Sequence, residues 1–268
     1  MKYTSKEHTF AICAYGDSPF LEECIKSVLD QKEKTNVIIC TSTPSENLQK
    51  TAENYGIPLY VNEKEAFNST IAKDWNFAIK CAKTRLVTIA HQDDLYKPDF
   101  AYEVIRHCNM AKKPLIAFTD YAELRNGIET SNLRNLRIKR IMLSPLRIRL
   151  LWRSRFIRRR ILSFGSAICC PSVTYIKPNL PDPQFLSDYR CDLDWQAWER
   201  YSRLQGDFVF VNSIQMVHRI HEASETTISI DNHIRTREDL EMLYRFWPRR
   251  IAKIISICYR KSELSNTI

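Results

Sequence analysis

Glycine is scarce in this chain, with five in 268 residues, and the shortage removes one way of holding a phosphate. No Gly-x-Gly-x-x-Gly follows the first apolar run and no P-loop pattern occurs anywhere, so the usual glycine-cradled nucleotide sites are excluded. Long apolar runs are missing too. No stretch approaches the roughly 18 apolar residues that a membrane-crossing helix needs. Met1 to Glu7 is polar with no apolar leader core behind it, and the expected location is the cytoplasm. Cysteine is plentiful at nine, but no pair shows Cys-x2-Cys spacing, which argues against structural zinc. Cys13, Cys24, Cys40, Cys81 and Cys108 fall on apolar faces, where a reduced thiol behaves as a small hydrophobe.

Acid is absent from one place in particular. Between Arg134 and Arg160 there are eleven Lys or Arg and no Asp or Glu, more than the whole net charge of +9. A negatively charged partner is implied, with a solvated helix face as the plain alternative. Leu146, Leu150, Ile157 and Ile161 fall on one helical stripe, with Trp152 and Phe156 on another side. Aromatic and aliphatic residues mixed with arginine suit an anionic membrane surface better than nucleic acid.

What is present is an alternation. Thr9-Phe-Ala-Ile-Cys-Ala14 reads as a buried strand, then a turn at Tyr15-Gly16-Asp17 and a helix capped by Ser18 with Pro19 at its first position. Asn36 to Cys40 is a second strand, Ser45 to Tyr55 a second helix, and Pro58 to Val61 a third strand. Ile71, Trp75, Ala78, Ile79 and Ala82 mark the face of a third helix. The rhythm predicts an α/β fold with parallel strands and crossover helices, and ligands beyond the strands' carboxyl ends. With 44% hydrophobic residues, the chain can bury a full core. The expected division is a catalytic domain over 1–230, containing a basic helical insertion at about 134–163, and a helical segment over 231–268. In that segment Leu240, Leu243, Phe246, Trp247, Ile251, Ile254 and Ile255 keep helical spacing, broken at Pro248. Packing on the catalytic domain explains this spacing first, and membrane docking through Trp247, Arg249, Arg250 and Lys253 second.

The fourth strand, Arg85 to Ala90, empties into His91-Gln-Asp-Asp94. Two adjacent aspartates repel unless a cation or hydrogen-bond donors offset them, and a divalent metal carrying a phosphate ligand would do so. The alternative is an acidic turn ahead of a helix that begins near Pro98-Asp99.

The order of Ala11 to Gln31, the Ala72-Lys-Asp-Trp-Asn76 helix and the His91-Gln-Asp-Asp94 turn together resembles the family-2 glycosyltransferases of the GT-A fold. The resemblance implies a Rossmann-like, mostly parallel sheet flanked by helices. It also implies a nucleotide-sugar donor and a divalent cation, Mn2+ or Mg2+. On this chain it sets Ala14 and Tyr15 against the base, Lys73 and Asn76 along the nucleotide, and Gln92, Asp93 and Arg219 at the diphosphate. Asp93 and His221 become the metal ligands, with Asp94 and His91 as lesser candidates. Registering Asp192-Leu-Asp-Trp-Gln-Ala-Trp-Glu-Arg200 on the family's segment makes Asp194 the general base; Asp192 is the neighbour that could instead be a helix-terminal acid. Two positions depart from the family. His91 replaces the first aspartate of the metal turn, which puts metal affinity in question. Thr41-Ser42-Thr43 replaces an acidic pair, leaving Thr41 or Ser42 to bond the base and Glu46 the ribose.

The mechanism implied is inverting displacement at an anomeric carbon, with Asp194 accepting the acceptor hydroxyl's proton. The acceptor is expected between the segment after Asp120 and the basic arm. A saccharide or lipid-linked saccharide of bacterial surface-polysaccharide assembly fits an arm on the inner membrane face. A nucleotidyltransferase would explain the metal turn but lacks its glycine-rich first loop. A non-catalytic membrane- or nucleic-acid-binding protein explains the arm alone.

Overall fold

The computed structural model describes residues 2–221 and 234–264, with side chains as far as Ile257. Strands β1 (His8–Ala14), β2 (Asn36–Thr41), β3 (Leu59–Val61) and β4 (Leu86–His91) alternate with helices α1 (Leu21–Leu29), α2 (Glu46–Tyr55) and α3 (Ile71–Cys81). Local signals account for the helix starts. Ser45 caps α2 by accepting the Leu48 N–H at 3.1 Å, and Gly56 ends it at φ 62°, a left-handed conformation that costs glycine little. Thr70 caps α3 through Lys73 N–H. The first helix starts later than Ser18 and Pro19 predict. Ser18 caps a tight turn instead, accepting the Phe20 N–H at 3.3 Å, and α1 opens at Leu21.

The chain continues through β5 (Leu95–Tyr96), α4 (Phe100–Cys108), β6 (Pro114–Arg125), β7 (Ile128–Thr130), α5 (Arg134–Leu143), α6 (Arg155–Arg160), β8 (Val173–Ile176), α7 (Leu193–Ser202) and β9 (Asp207–Ile220), then α8 (Ile234–Tyr244) and α9 (Arg249–Leu264). The nine strands form one sheet in the order β3-β2-β1-β4-β8-β6-β9-β5, with β7 on β6. The first four strands are parallel, as their crossover helices require. The rest is mixed: β8 runs antiparallel to both β4 and β6, because the chain returns through the long 131–172 excursion rather than a single crossover helix. Ala14 sits level with Thr41, and Cys13 with His91, so three strands end at one rim.

Strand β9 reaches that rim differently. Its pairing with β6 shifts register around Thr119, Asp120 and Tyr121, and such irregularities bend a strand. Beyond them Met216 and Val217 pair with Tyr96 and Leu95 of β5, which follows the Asp93-Asp94 turn directly.

Residues 131–163 are not one amphipathic helix. Two 3-10 stretches, Ser144–Arg147 and Arg149–Arg153, separate α5 from α6, so the expected stripe does not exist. Leu146 and Trp152 are buried together, with Trp152 Nε1 donating to Leu146 O at 2.7 Å, whereas Leu150 points to solvent. Several basic residues turn inward as well. Arg158 is fully buried and donates to Leu204 O, Arg159 pairs with Glu199, and Arg140 pairs with Asp120. At least three of the eleven cations therefore serve the fold. At the C-terminal side α8 and α9 part at Pro248, and Met242, Leu243 and Ala252 are buried, with Phe246 stacked on Trp195. The expected boundary at 230/231 falls outside the described residues.

His8 lies in the core beneath this sheet. Its Nε2 meets Thr88 Oγ1 at 2.8 Å, and Thr88 meets Thr174 Oγ1 at 2.6 Å across β1, β4 and β8. Burial pushes the imidazole down to about 3, so the folded chain keeps it neutral where the unfolded chain takes up a proton. Stability contributed by His8 is complete above pH 6.5 and is lost as pH falls toward 3. Thermal unfolding followed from pH 7 to pH 5 should show stability falling by about 2 kcal/mol through this residue. In His8→Gln that part of the slope should vanish, and an unchanged slope would refute the assignment.

Candidate functional site

At the rim, the ends of β1, β2 and β4 are tied by side chains. Gln92 holds the Tyr15 backbone from both sides, accepting its N–H at 3.0 Å and donating to its carbonyl at 2.9 Å. Thr43 Oγ1 accepts the Gly16 N–H, and Ser42 donates to Asp74 at 3.1 Å. Ala14, Thr41 and Ser42 are buried, while the Tyr15 side chain is 67% exposed and open to a ligand. Lys73 pairs with Glu65 at 2.8 Å. Both polar atoms of Asn76 bond the Phe185 main chain, at 2.8 and 3.0 Å, so this side chain fastens the 184–186 segment over the rim. Glu46 begins α2 beside the Ser45 cap.

Asp93 and Asp94 sit where β9 arrives. Asp94 is fully buried, and its Oδ1 accepts from His218 Nδ1 and from the Arg219 backbone N–H, both at 2.9 Å. Asp93 Oδ2 accepts from His221 Nε2 at 3.0 Å, and its carbonyl accepts from Arg219 Nε at 2.9 Å. Arg219 also reaches Glu23 at 2.5 Å and lies 4.4 Å over the Phe20 ring, which in turn packs tilted against His221 at 5.0 Å. Leaving Phe20 outside α1 is what puts its ring here. Burial opposes ionisation of Asp93, but His91, His221 and His218 together outweigh it and hold its carboxyl below the usual range. Burial likewise disfavours a charged His218, yet the Asp94 carboxylate overrides it and raises the imidazole. For His91 burial wins and the ring is held toward neutral.

His91, Asp93 and Asp94 offer ligand atoms all within 4.8 Å of one another. Two of the buried atoms here, His91 Nε2 and Asp94 Oδ2, have no hydrogen-bond partner. His91 Nδ1 lies 3.8 Å from Asp94 Oδ2, and a ring protonated there keeps a lone pair on Nε2. Mixed imidazole and carboxylate donors fit a divalent cation such as Mn2+ or Mg2+. Trp75 backs the group, stacked on His91 at 5.2 Å.

The two aspartates at the start of α7, Asp192 just before it and Asp194 in its first turn, part company. Asp192 is buried facing α8, and burial followed by the nearby Asp239 carboxylate raises it well above its ordinary value. Asp194 keeps part of its surface open. Crowding by protein pushes it up to about 6 against the Trp195 N–H, which it accepts at 2.6 Å, and against Arg235 and Lys139. The Cys169 thiol is raised mainly by burial, with the Asp94 and Asp194 carboxylates adding to the rise.

Sequence reasoning missed three contributors. Lys139 belongs to the run read as surface, yet it donates to Tyr121 Oη at 2.8 Å and feels the Asp194 charge. Trp75 was expected only as a core face of α3. Glu238 had no signal: buried on α8, it accepts the N–H groups of Arg190, Cys191 and Asp192, the nearest at 2.7 Å, and so fixes the chain entering α7. No local motif announces a carboxylate that satisfies backbone groups more than forty residues away.

A family model described as Glycosyl transferase family 2 matches residues 9–176. Among solved structures, a mannosyltransferase from Pyrobaculum calidifontis in complex with GDP-Man and Mn2+ is similar over 99% of this chain and 77% of its own, at 12% identity and a TM-score of 0.63. The S. aureus TarS 1–349 fragment in complex with UDP-GlcNAc is similar over 97% of this chain and 73% of its own, at 13% identity and a TM-score of 0.60. At these identities the likeness is one of fold. No curated protein matches by sequence.

Replacing Glu238 by Ala leaves three N–H donors without their acceptor and should lower the denaturant-unfolding free energy by at least about 2 kcal/mol. Glu238→Gln, which keeps an acceptor oxygen, should lose less; equal losses would refute the backbone-anchoring role.

Proposed function

The chain belongs to glycosyl transferase family 2 and is a glycosyltransferase, and on that premise we propose that it transfers a sugar from a nucleotide-sugar donor to an acceptor hydroxyl with inversion, using a divalent cation and Asp194 as general base. The observation that carries this reading is the His91-Asp93-Asp94 cluster at the end of β4, with two ligand atoms unpartnered, and the raised value of about 6 at Asp194 suits a base working near neutrality. A bound cation would supply charge for the departing diphosphate, held by Asp93 and by the unpartnered atoms of His91 and Asp94, with His221 beside Asp93.

The remaining roles belong to the chain's own side chains. Asp194 takes the proton from the acceptor hydroxyl as its oxygen bonds the anomeric carbon and the carbon–phosphate-oxygen bond breaks. Attack from the side opposite the leaving group gives inversion. Arg219 adds positive charge on the diphosphate side, joined by His218, whose imidazole Asp94 raises toward its charged form, and partly closed walls strengthen both effects. Tyr15, with Thr41 and Ser42 at the second strand end, lines the base. Lys73 and Gln92 hold the nucleotide side of the rim. The acceptor lies between the segment after Asp120 and α5, where Lys139 faces the site.

The proposed acceptor is a saccharide or lipid-linked saccharide of bacterial surface-polysaccharide assembly, met at the inner face of the cell membrane by the outer part of residues 134–160. No helix among the described residues is long and apolar enough to cross a membrane, so association there would be peripheral.

A panel of sugar nucleotides tested with Mn2+ and Mg2+ should contain one that raises the unfolding temperature of the wild type. Asp93→Ala should abolish the metal-dependent part of that rise. Asp194→Asn should keep it while turnover falls by about a hundredfold or more. Because Asp194 must be unprotonated to act, kcat/KM should fall tenfold per pH unit below about pH 6. If no sugar nucleotide binds with either metal, the transferase mechanism is wrong for this chain.

A further inference from the structure

Two surface segments far apart in sequence carry the same unusual mixture of exposed apolar and basic side chains. Inward-turning arginines leave Arg147, Arg149 and Arg155 outside on the basic run, where Leu150 is 85% exposed and Phe156 69%. On α9, Ala252 and Ser256 face the protein, while Ile254 and Ile257 point out beside Arg250 and Lys253. The structure joins these segments. The Arg160 guanidinium lies over the Phe156 ring at 5.7 Å and over the Trp247 ring at 4.9 Å. Phe164, half exposed, packs on Trp247 at 5.2 Å, and Trp247 Nε1 donates to Ser163 O at 2.6 Å. Trp247 stands two residues before α9.

We propose that these two segments form one composite docking surface for an anionic phospholipid bilayer. For its purpose, though not for its geometry, the inference rests on the transferase reading above. Neither 134–164 nor 245–257 contains an acid, so nothing in either segment repels lipid phosphate. Leu150, Phe156, Ile254 and Ile257 would enter the headgroup boundary while arginine and lysine reach the phosphates. A second copy would set the same positive charge against itself, and nucleic acid would leave the exposed aliphatic residues without a partner. Basic charge alone, as read from the sequence, pointed to 134–160. The packing around Trp247 adds α9 to the same face and removes α5, whose Lys139 and Arg140 serve the site and the sheet.

The test is co-sedimentation of the full chain with phosphatidylcholine vesicles and with phosphatidylcholine–phosphatidylglycerol vesicles. Binding should require the anionic lipid. Reversing two charges on α9, Arg250→Glu with Lys253→Glu, should weaken it roughly thirtyfold. Leu150→Ser with Phe156→Ser on the other segment should also weaken it, and Lys50→Glu on α2, toward the other edge of the sheet, should not. Unfolding temperature and sugar-nucleotide binding, measured on each variant, should stay at wild-type values because all five positions are exposed. Vesicle binding unaffected by the α9 reversals would overturn the composite surface. So would binding to duplex DNA in place of vesicles, or concentration-dependent self-association abolished by Ile254→Glu. Vesicle binding that is lost with sugar-nucleotide binding intact counts against docking alone; the converse counts against the transferase mechanism alone.

Discussion

The site depends on one closure: the far end of β9 is brought to the turn that ends β4, although β8 and β6 lie between those strands in the sheet. Two features make this possible. The register shifts near Asp120 bend β9, and the two-residue β5 catches it immediately after Asp94. The buried carboxylate of Asp94 then accepts from His218 and from the Arg219 backbone, fixing the residues that complete the charged cluster. A buried carboxylate is expensive unless its oxygens are occupied, and here one oxygen is satisfied by β9 while the other stays available. Fold closure and ligand readiness are divided between the two atoms of one group.

Burial raises both Asp93 and Asp194, but it prevails at only one of them. At Asp93 three imidazoles outweigh it and hold the carboxyl below its usual range. At Asp194 there is no comparable cluster, burial prevails, and the carboxyl becomes a better proton acceptor. One medium thus yields two different acids because their neighbours differ, which is how adjacent carboxylates come to hold separate roles.

The first hundred residues were readable because they obey local rules. Caps, apolar periods and a strand running into two aspartates fix α2, α3, β4 and the turn with no distant information. The choice of Asp194 over Asp192 came from register against a family pattern. The environment that distinguishes them, α8 and its Glu238 and Asp239, is long-range and carries no motif. Which arginines of the basic run turn inward was not legible for a similar reason. Spacing shows where arginines are, but not that Asp120 and Glu199 wait on other elements to receive Arg140 and Arg159. Likewise the mixed half of the sheet follows from how the 131–172 excursion packs, which no short window records.

Trp75 gives the molecule an optical handle. Three of the other four tryptophans, Trp152, Trp195 and Trp198, are sealed in the core, and Trp247 leans on Phe164; Trp75 alone lies nearly parallel on an imidazole, at 22° to His91. An excited indole gives up its energy readily to a protonated imidazole and much less to a neutral or coordinated one. Emission from this ring therefore reports protonation of His91, so that the charge state of the turn can be followed by light from the native chain without a label.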